Sequence, residues 1–534
     1  MAEPQNSRTI FLASFLTIFA AGVGFAVRGA ILNDWAIQFG FTKTELGTIT
    51  GGGLVGFGIV IILSSLILDF VGYKPILLLA FLLHLLSAVL TLAATPVFEG
   101  NFSLAWIPSA IPGMAGFSGT PRDATYACLY WGMFLFSVGN GLCEAAVNPL
   151  VATLYPKKKT HYLNILHASW PGGLIAGGLL AYAFCGDNPM ITKLRWEIPL
   201  GTFVIPVLAY GIMIAIKKLP ESEASAAGVS VGEMLAQFAS PILLMLLVIH
   251  AMVGYVELGT DSWITNIMDN VVKEQSILLF IYTSALMFIL RFFAGPIVER
   301  INPLGLLTVS GILGYIGLTM LSKADAVGAA FLAATVYGLG KTFLWPTMLG
   351  VAGERFPRGG AIVMGTMGGI GMLSAGLLGG PGIGYKQDYY AAQDLHEKSP
   401  AAFDRYKSDK ENKFLFFPAI AGLDGSKVGV LKNDGQDLER DFKIVSEAKE
   451  KPKVAEEITA LHTWWKSAKT TAEQDKPPVV AAGIFGGRKA LEITAYVPAV
   501  MAALYLLLVI YFRATGGYKQ IELHHQGEGA TSEM

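Results

Sequence analysis

The chain has 534 residues, of which 53% are hydrophobic and 15% charged, with 39 basic and 40 acidic side chains. Mean hydropathy is +0.52, and a charged fraction this far below the roughly 25% of a soluble domain excludes an ordinary soluble enzyme. A net charge of −1 removes the electrostatic case for a nucleic-acid partner.

A bilayer span needs about 20 apolar residues. Twelve segments meet that length, at about 10–33, 45–68, 75–95, 125–150, 164–184, 197–216, 240–263, 275–297, 303–322, 327–350, 360–381 and 490–512. Gly, Pro, Ser and Asn interrupt them, as helix bundles tolerate where small residues allow close approach. The ten-residue alternation of a barrel is absent. The expected fold is an all-α membrane protein with twelve transmembrane helices in two pseudo-repeated six-helix bundles. The first span has one flanking Arg8, runs longer than a signal-peptide core and reads as an uncleaved helix.

Of the 79 charged side chains, 34 fall within 385–488. That stretch reads as a polar insert between helices 11 and 12. Residues 437–474 within it have helical composition broken at Pro452 and read as a solvated helical decoration, with a substrate-capturing lid as the alternative; Trp464 and Trp465 offer it a way to pack against the bundle mouth. The domain reading is a first bundle over 1–217, a linker over 218–239, a second bundle over 240–384 plus 489–512, the insert over 385–488, and a tail over 513–534. Short loops on the side of the N-terminus hold twelve Lys and Arg, and those opposite hold six. The positive-inside rule then puts both termini in the cytoplasm of a plasma (inner) membrane protein, with the insert outside.

Three cysteines, Cys128, Cys143 and Cys185, lie in apolar stretches and form no disulfide framework or metal-ligand spacing. No Walker-type phosphate loop is present, GGGLVG (51–56) sits inside an apolar helix, and HEK (396–398) lacks the second His of a zinc helix. No cofactor, metal or enzymatic activity is expected. The expected partners are a small solute, a proton and the lipid bilayer, and the chain is expected to be a monomer.

The two halves echo each other. SSLILDFVGYKP (64–75) follows the second span and AGPIVERINP (294–303) the eighth, with Asp69 and Glu299 each closing a helix. The fourth span carries GNGLCEAAVNP and the tenth GLGKTFLWP, so Glu144 precedes Pro149, and Lys341 Pro346, by five residues. The first and seventh spans end in NDW (33–35) and DSW (261–263). Matched charges in two halves are a transporter pattern, with sites at the repeat interface.

The two loops resemble the major facilitator superfamily signature, Gly-x-x-x-Asp-Arg-x-Gly-Arg-Lys. The first copy keeps Asp69, Gly72 and Lys74; the second keeps Gly295, Glu299 and Arg300 but has Asn302 where Gly is expected. The resemblance implies gating loops in which the acid pairs with basic groups or helix N-termini and latches the halves. ILND (31–34), Glu144 followed by AAVNP, LN (163–164) and Trp345-Pro346-Thr347 also resemble segments of the fucose–proton symporter family. That resemblance implies proton coupling through Asp34 and Glu144. The chain departs from the family in having His167 where Gln is expected, and in Arg28, Lys341 and the insert.

Arg28, Asp34, Glu144, Glu257, Asp261, Arg291 and Lys341 lie within or near the spans. Each would cost roughly 2.5–3.5 kcal/mol at the bilayer centre unless it pairs or faces a wet cavity. Glu144, among Gly139, Gly141, Ala145 and Ala146, is placed to exchange a proton or to pair with Arg28 or Lys341. Arg28 and Asp34, six apart, fall on different helix faces, so Arg28 is expected to seek a partner on another helix or an acidic solute group. Glu257 and Asp261 are i,i+4 and share a face. Arg291 reads as snorkelling or as paired within its helix, with no solute role. Candidates for holding a sugar are Trp35, Gln38, Asn140, Asn148, Asn164, His167, Tyr255, Trp263, Asn266 and Trp345.

These residues point to alternating-access import of a small polar solute, a sugar first, with protons. The alternatives are an organic-anion carrier gripping a carboxylate with Arg28 and Lys341, or a nutrient sensor that does not transport.

Overall fold

The computed structural model describes residues 6–50, 53–185, 189–272, 276–409, 411–447 and 455–523. These residues are almost wholly helical, and two isolated β-bridges in 407–423 are their only extended pairing. Ten helices are long and apolar enough to cross a membrane, and Lys159–Phe184 with the short apolar helix after it in the second half complete the twelve. The first half is α1 (Ser7–Ala30), α2 (Gly53–Val71), α3 (Tyr73–Phe98), α4 (Pro121–Leu154), α5 (Lys159–Phe184) and α6 (Glu197–Ile216). The second half is α7 (Pro241–Gly254 continued by Thr260–Val272), α8 (Ser276–Arg291), α9 (Ala294–Lys323), α10 (Val327–Arg355), α11 (Gly360–Ser374 continued by Gly380–Lys398) and α12 (Ala472–Thr494 continued by Tyr496–Ala514).

Local chemistry sets the element ends. α4 starts on a capping box in which Thr120 and Asp123 satisfy each other's backbone N–H groups, with Pro121 in the first turn where no donor is needed. Small residues set how closely helices pack: a Cβ on Gly173 of α5 would lie 2.3 Å from the Phe19 carbonyl of α1. α7 and α11 each contain one wide π-type turn, Tyr255–Gly259 and Ala375–Gly379. The two turns face each other so closely that a Cβ on Gly259 would lie 2.7 Å from Gly379 Cα. Wide turns of this kind are frequent at functional sites, and this one carries Glu257.

α11 runs on to Lys398 and α12 starts at Ala472, so two paired helices rise out of the bundle. Short helices Pro400–Tyr406, Gly425–Lys432, Gln436–Glu447 and Ala455–Ala468 wrap them around a separate core that includes Leu395, Leu431, Trp465 and Ala482. Arg405 clamps this core to α12 through a bidentate pair with Asp475 at 2.5 and 2.8 Å. The tryptophans depart from expectation. Trp465 is buried inside the insert and Trp464 packs edge-on against Tyr406, because their helix turns its apolar face to the α11–α12 pillar rather than to the bundle mouth. The expected break at Pro452 lies outside the described residues.

On the face that bears the termini the two halves are joined reciprocally. Asp69 Oδ2 at the end of α2 accepts from Ala361 N in the first turn of α11, at 3.1 Å. Glu354 Oε1 at the end of α10 accepts from Thr160 N and Oγ1 in the first turn of α5, at 3.2 and 2.6 Å. Each carboxylate sits where the helix dipole favours negative charge. Buried Lys159 adds Gly353 O at 3.0 Å and linker Glu223 at 2.5 Å. The tail crosses the same seam: Tyr518 donates to Glu354 Oε2 at 2.7 Å, and the Gln520 amide donates to Pro156 O.

The two signature loops differ. Gly72 (φ 83°) and Asn302 (φ 54°), each three residues after the acid, both turn the chain in the left-handed region, so Asn302 takes the role expected of Gly. Lys74 donates to Ala215 O at 2.7 Å and to Lys217 O at 3.1 Å, within its own half. Gly295 N donates to His161 Nδ1 of the other half at 3.1 Å. Glu299 and Arg300 are exposed, and among the described residues no hydrogen bond carries either across the seam. Among the described residues the acids that hydrogen-bond across the seam are Asp69 and Glu354, where the signature loops predict Glu299 beside Asp69.

Candidate functional site

Above the sealed seam, between the halves, lies a cavity of about 460 Å³. Its wall includes Asn140, Glu144, His167 and Trp170 from the first half and Glu257, Asp261, Arg291 and Trp345 from the second, with Phe136, Phe57, Met133 and Met372 between them. It continues toward the insert face along Thr50, Phe25, Ser262 and Phe280.

The second half supplies charge in balanced pairs. Arg291 Nη2 donates to Glu257 Oε1 at 3.2 Å, and both groups are buried. Lys341 Nζ meets both oxygens of Asp261 at 2.6 Å. Lys341 itself is buried behind Asp261, which stands between it and the cavity. Glu257 Oε2 is buried and has no hydrogen-bond partner among the described residues. Trp345 lies in the floor, its ring 4.6 Å from that of His250, whose two ring nitrogens lack partners among the described residues.

The first half is different. Glu144 Oε2 accepts from Asn148 Nδ2 at 2.8 Å, and Asn148 Oδ1 in turn accepts from His167 Nε2 at 2.9 Å. His167 Nε2 stands 4.0 Å from the carboxylate. Neither Arg28 nor Lys341 reaches Glu144, so the alternative static pairs do not form. Asn140 Oδ1 faces inward onto His84 Nε2 at 3.0 Å, and Tyr210 holds the other side of that ring at 2.9 Å. Asn164 binds Thr347 across the halves at 3.1 Å, below the cavity and within the seal.

Seven sequence candidates lie elsewhere. Helix α1 ends at Ala30, and a separate short helix, Leu32–Phe39, follows the non-helical Ile31. That break carries Asp34, Trp35 and Gln38 out of the cavity wall. Asp34 pairs with Lys193 at 3.1 Å, Trp35 packs edge-on against Trp196, and Gln38 bridges Trp196 and Thr95. Arg28 does find its partner on another helix, Ser87 of α3 at 2.9 Å, and its guanidinium lies 4.1 Å from the Phe136 ring, which separates it from the cavity. Tyr255 accepts from Lys386 at 2.9 Å, Trp263 donates to Gly380 O at 2.9 Å, and Asn266 is exposed.

Sequence reasoning missed Arg291. Arg291 donates through Nε to Thr342 O at 2.7 Å, through Nη1 to His167 O at 2.6 Å, and through Nη2 to Glu257. It therefore touches both halves. Among the described residues no group of three or more His, Cys, Asp or Glu is arranged to hold a metal ion.

Comparison with known proteins agrees with this architecture. Residues 10–380 match the Major Facilitator Superfamily. No curated protein sequence matches the chain. Among solved structures it is similar to FucP, described as a major facilitator transporter in the outward conformation, with a TM-score of 0.56 at 16% identity over 72% of this chain and 93% of that one. It is similar to the proton:xylose symporter XylE, with a TM-score of 0.58 at 15% identity over 74% of this chain and 91% of the other. It is also similar to the human organic anion transporter MFSD10, with a TM-score of 0.52 at 12% identity over 94% of this chain and 100% of the other. Twelve helices in this arrangement, a cavity with buried acids in a largely apolar wall between two halves and a family match across most of the chain make it a multi-pass membrane transporter, not an enzyme, and a member of the major facilitator superfamily.

Proposed function

We propose that this chain imports a small polar solute, a sugar first, together with protons, by alternating access. One observation carries the reading. Of the three acids on the cavity wall, Glu257 and Asp261 each have a cation of their own, whereas Glu144 is held by an amide, with a ring nitrogen 4.0 Å away. An ionised carboxylate with no cation is expensive in a drying cavity, so closing the bundle around Glu144 favours its protonated form. Solute binding and closure then draw a proton in, and opening on the other side releases it.

The wall suits a neutral polyol. The Glu144 and Asp261 carboxylates and the Trp345 ring on the wall offer acceptors and an apolar face, and hydroxyl groups need acceptors. An organic anion would need a free cation. Arg291 and Lys341 are tied to Glu257 and Asp261, and Phe136 walls off Arg28. With twelve basic residues against six in the short loops, both termini face the cytoplasm of a plasma membrane. The sealed seam is then the cytoplasmic gate.

The test is uptake of radiolabelled L-fucose, D-xylose and a carboxylate panel into proteoliposomes, with and without an inward proton gradient. The reading expects gradient-driven uptake of a neutral sugar, and in Glu144→Gln exchange without gradient-driven accumulation. Uptake indifferent to pH in both proteins would remove the coupling.

A further inference from the structure

An α-helix closes each carbonyl with the N–H four residues later, and proline has no N–H to give. Pro171 lies inside α5, four residues after His167, and Pro346 lies in α10, four residues after Thr342. Both prolines therefore leave a buried carbonyl open, one in each half of the molecule. Arg291 fills both, with Nη1 2.6 Å from His167 O and Nε 2.7 Å from Thr342 O. A planar guanidinium held on two carbonyls has one direction left, and there Nη2 meets Glu257 Oε1 at 3.2 Å. Glu257 Oε2 is buried beside it, with no hydrogen-bond partner among the described residues.

We propose that Pro171 and Pro346 are positioning residues for this site: by withholding two helix donors they fix Arg291 across the halves, and Arg291 in turn sets the Glu257 side chain on the cavity wall. Arg291 itself lines the cavity and belongs to the binding machinery; the prolines act only through it. The arrangement also ties the two halves at the level of the cavity. His167, whose carbonyl Arg291 holds, is bound through Asn148 to Glu144, so the same cation senses the proton site through the helix that carries it. The assignment of Glu257 to the solute rests on the transport reading above, whereas the geometry of Arg291 does not.

A double-mutant cycle tests it in the full-length protein in detergent. Pro171→Ala with Pro346→Ala returns both backbone donors. Arg291→Met should lower the melting temperature by several degrees in the wild type, because it strands two carbonyls and a carboxylate. In the Pro171→Ala/Pro346→Ala background the same change should lower it by clearly less, since the helices now close those carbonyls themselves. Equal losses in the two backgrounds overturn the proposal, whatever the chain transports. In proteoliposomes, with the sugar that the wild type carries, the two alanines should raise KM by about three- to tenfold, the scale of one weakened hydrogen bond to a charged group, with kcat within about twofold. An unchanged KM would contradict the positioning of Glu257. Absence of any wild-type sugar uptake would instead count against the transport reading and leave the thermal cycle as the test.

Discussion

The two halves share a fold but line the cavity with different electrostatics. The second half pairs each acid with a base, Glu257 with Arg291 and Asp261 with Lys341. The first half offers Glu144 hydrogen bonds from neutral groups alone. A paired acid keeps its charge through a conformational cycle, so it suits holding a solute. An acid without a cation is stable in a dry site only when protonated, so it suits coupling. The repeat thus places comparable positions, Glu144 and Lys341, at the same distance before a proline and gives them opposite charges and different partners.

The largest effect should come from unbalancing a pair. Lys341→Met leaves Asp261 without its cation and should destabilise by about 3–5 kcal/mol. Adding Asp261→Asn should recover most of that loss, and thermal melting of the single and double variants measures it. A full loss that Asp261→Asn does not relieve would refute the balance ascribed to this half. Next is Glu354→Ala, which removes acceptors from Thr160 and Tyr518 at the seam. With about 1 kcal/mol net per hydrogen bond, the seam should open roughly 30- to 150-fold more often, read as faster labelling of a cysteine introduced at Asn164; the three native cysteines are buried. Smaller again is Glu144→Gln, which should shift stability by less than about 1 kcal/mol because a neutral group keeps the Asn148 contact. Destabilisation as large as that of Lys341→Met would show that Glu144 is a charged, paired acid after all. The smallest effect is expected of Asp34→Asn. It removes a pair with a half-exposed lysine, worth about 0–1 kcal/mol, and should leave the pH dependence of uptake intact.

Much of the bundle is legible in the sequence because burying apolar helices is a one-dimensional problem: a run of about 20 apolar residues can hardly do otherwise. Glu144, Glu257 and Asp261 stand out because charge inside such a run demands a reason. Asp34 misleads because nothing in ILND marks the break at Ile31, where backbone geometry rather than composition turns the chain aside. The insert misleads in another way. Composition draws its edge at 385, yet α11 keeps its helix to Lys398, since a helix leaving the bilayer changes its side chains and not its backbone. Arg291 looked like an end-of-helix snorkel. Its role depends on two prolines in other helices, a relation visible only when all three are side by side.

Proton exchange by the purified protein decides whether Glu144 is the coupling acid. In weakly buffered detergent solution, adding the transported sugar should make the wild type take up protons, recorded with a pH indicator dye, and Glu144→Gln should bind the sugar with no such uptake. The same proton uptake in Glu144→Gln as in the wild type would contradict the assignment.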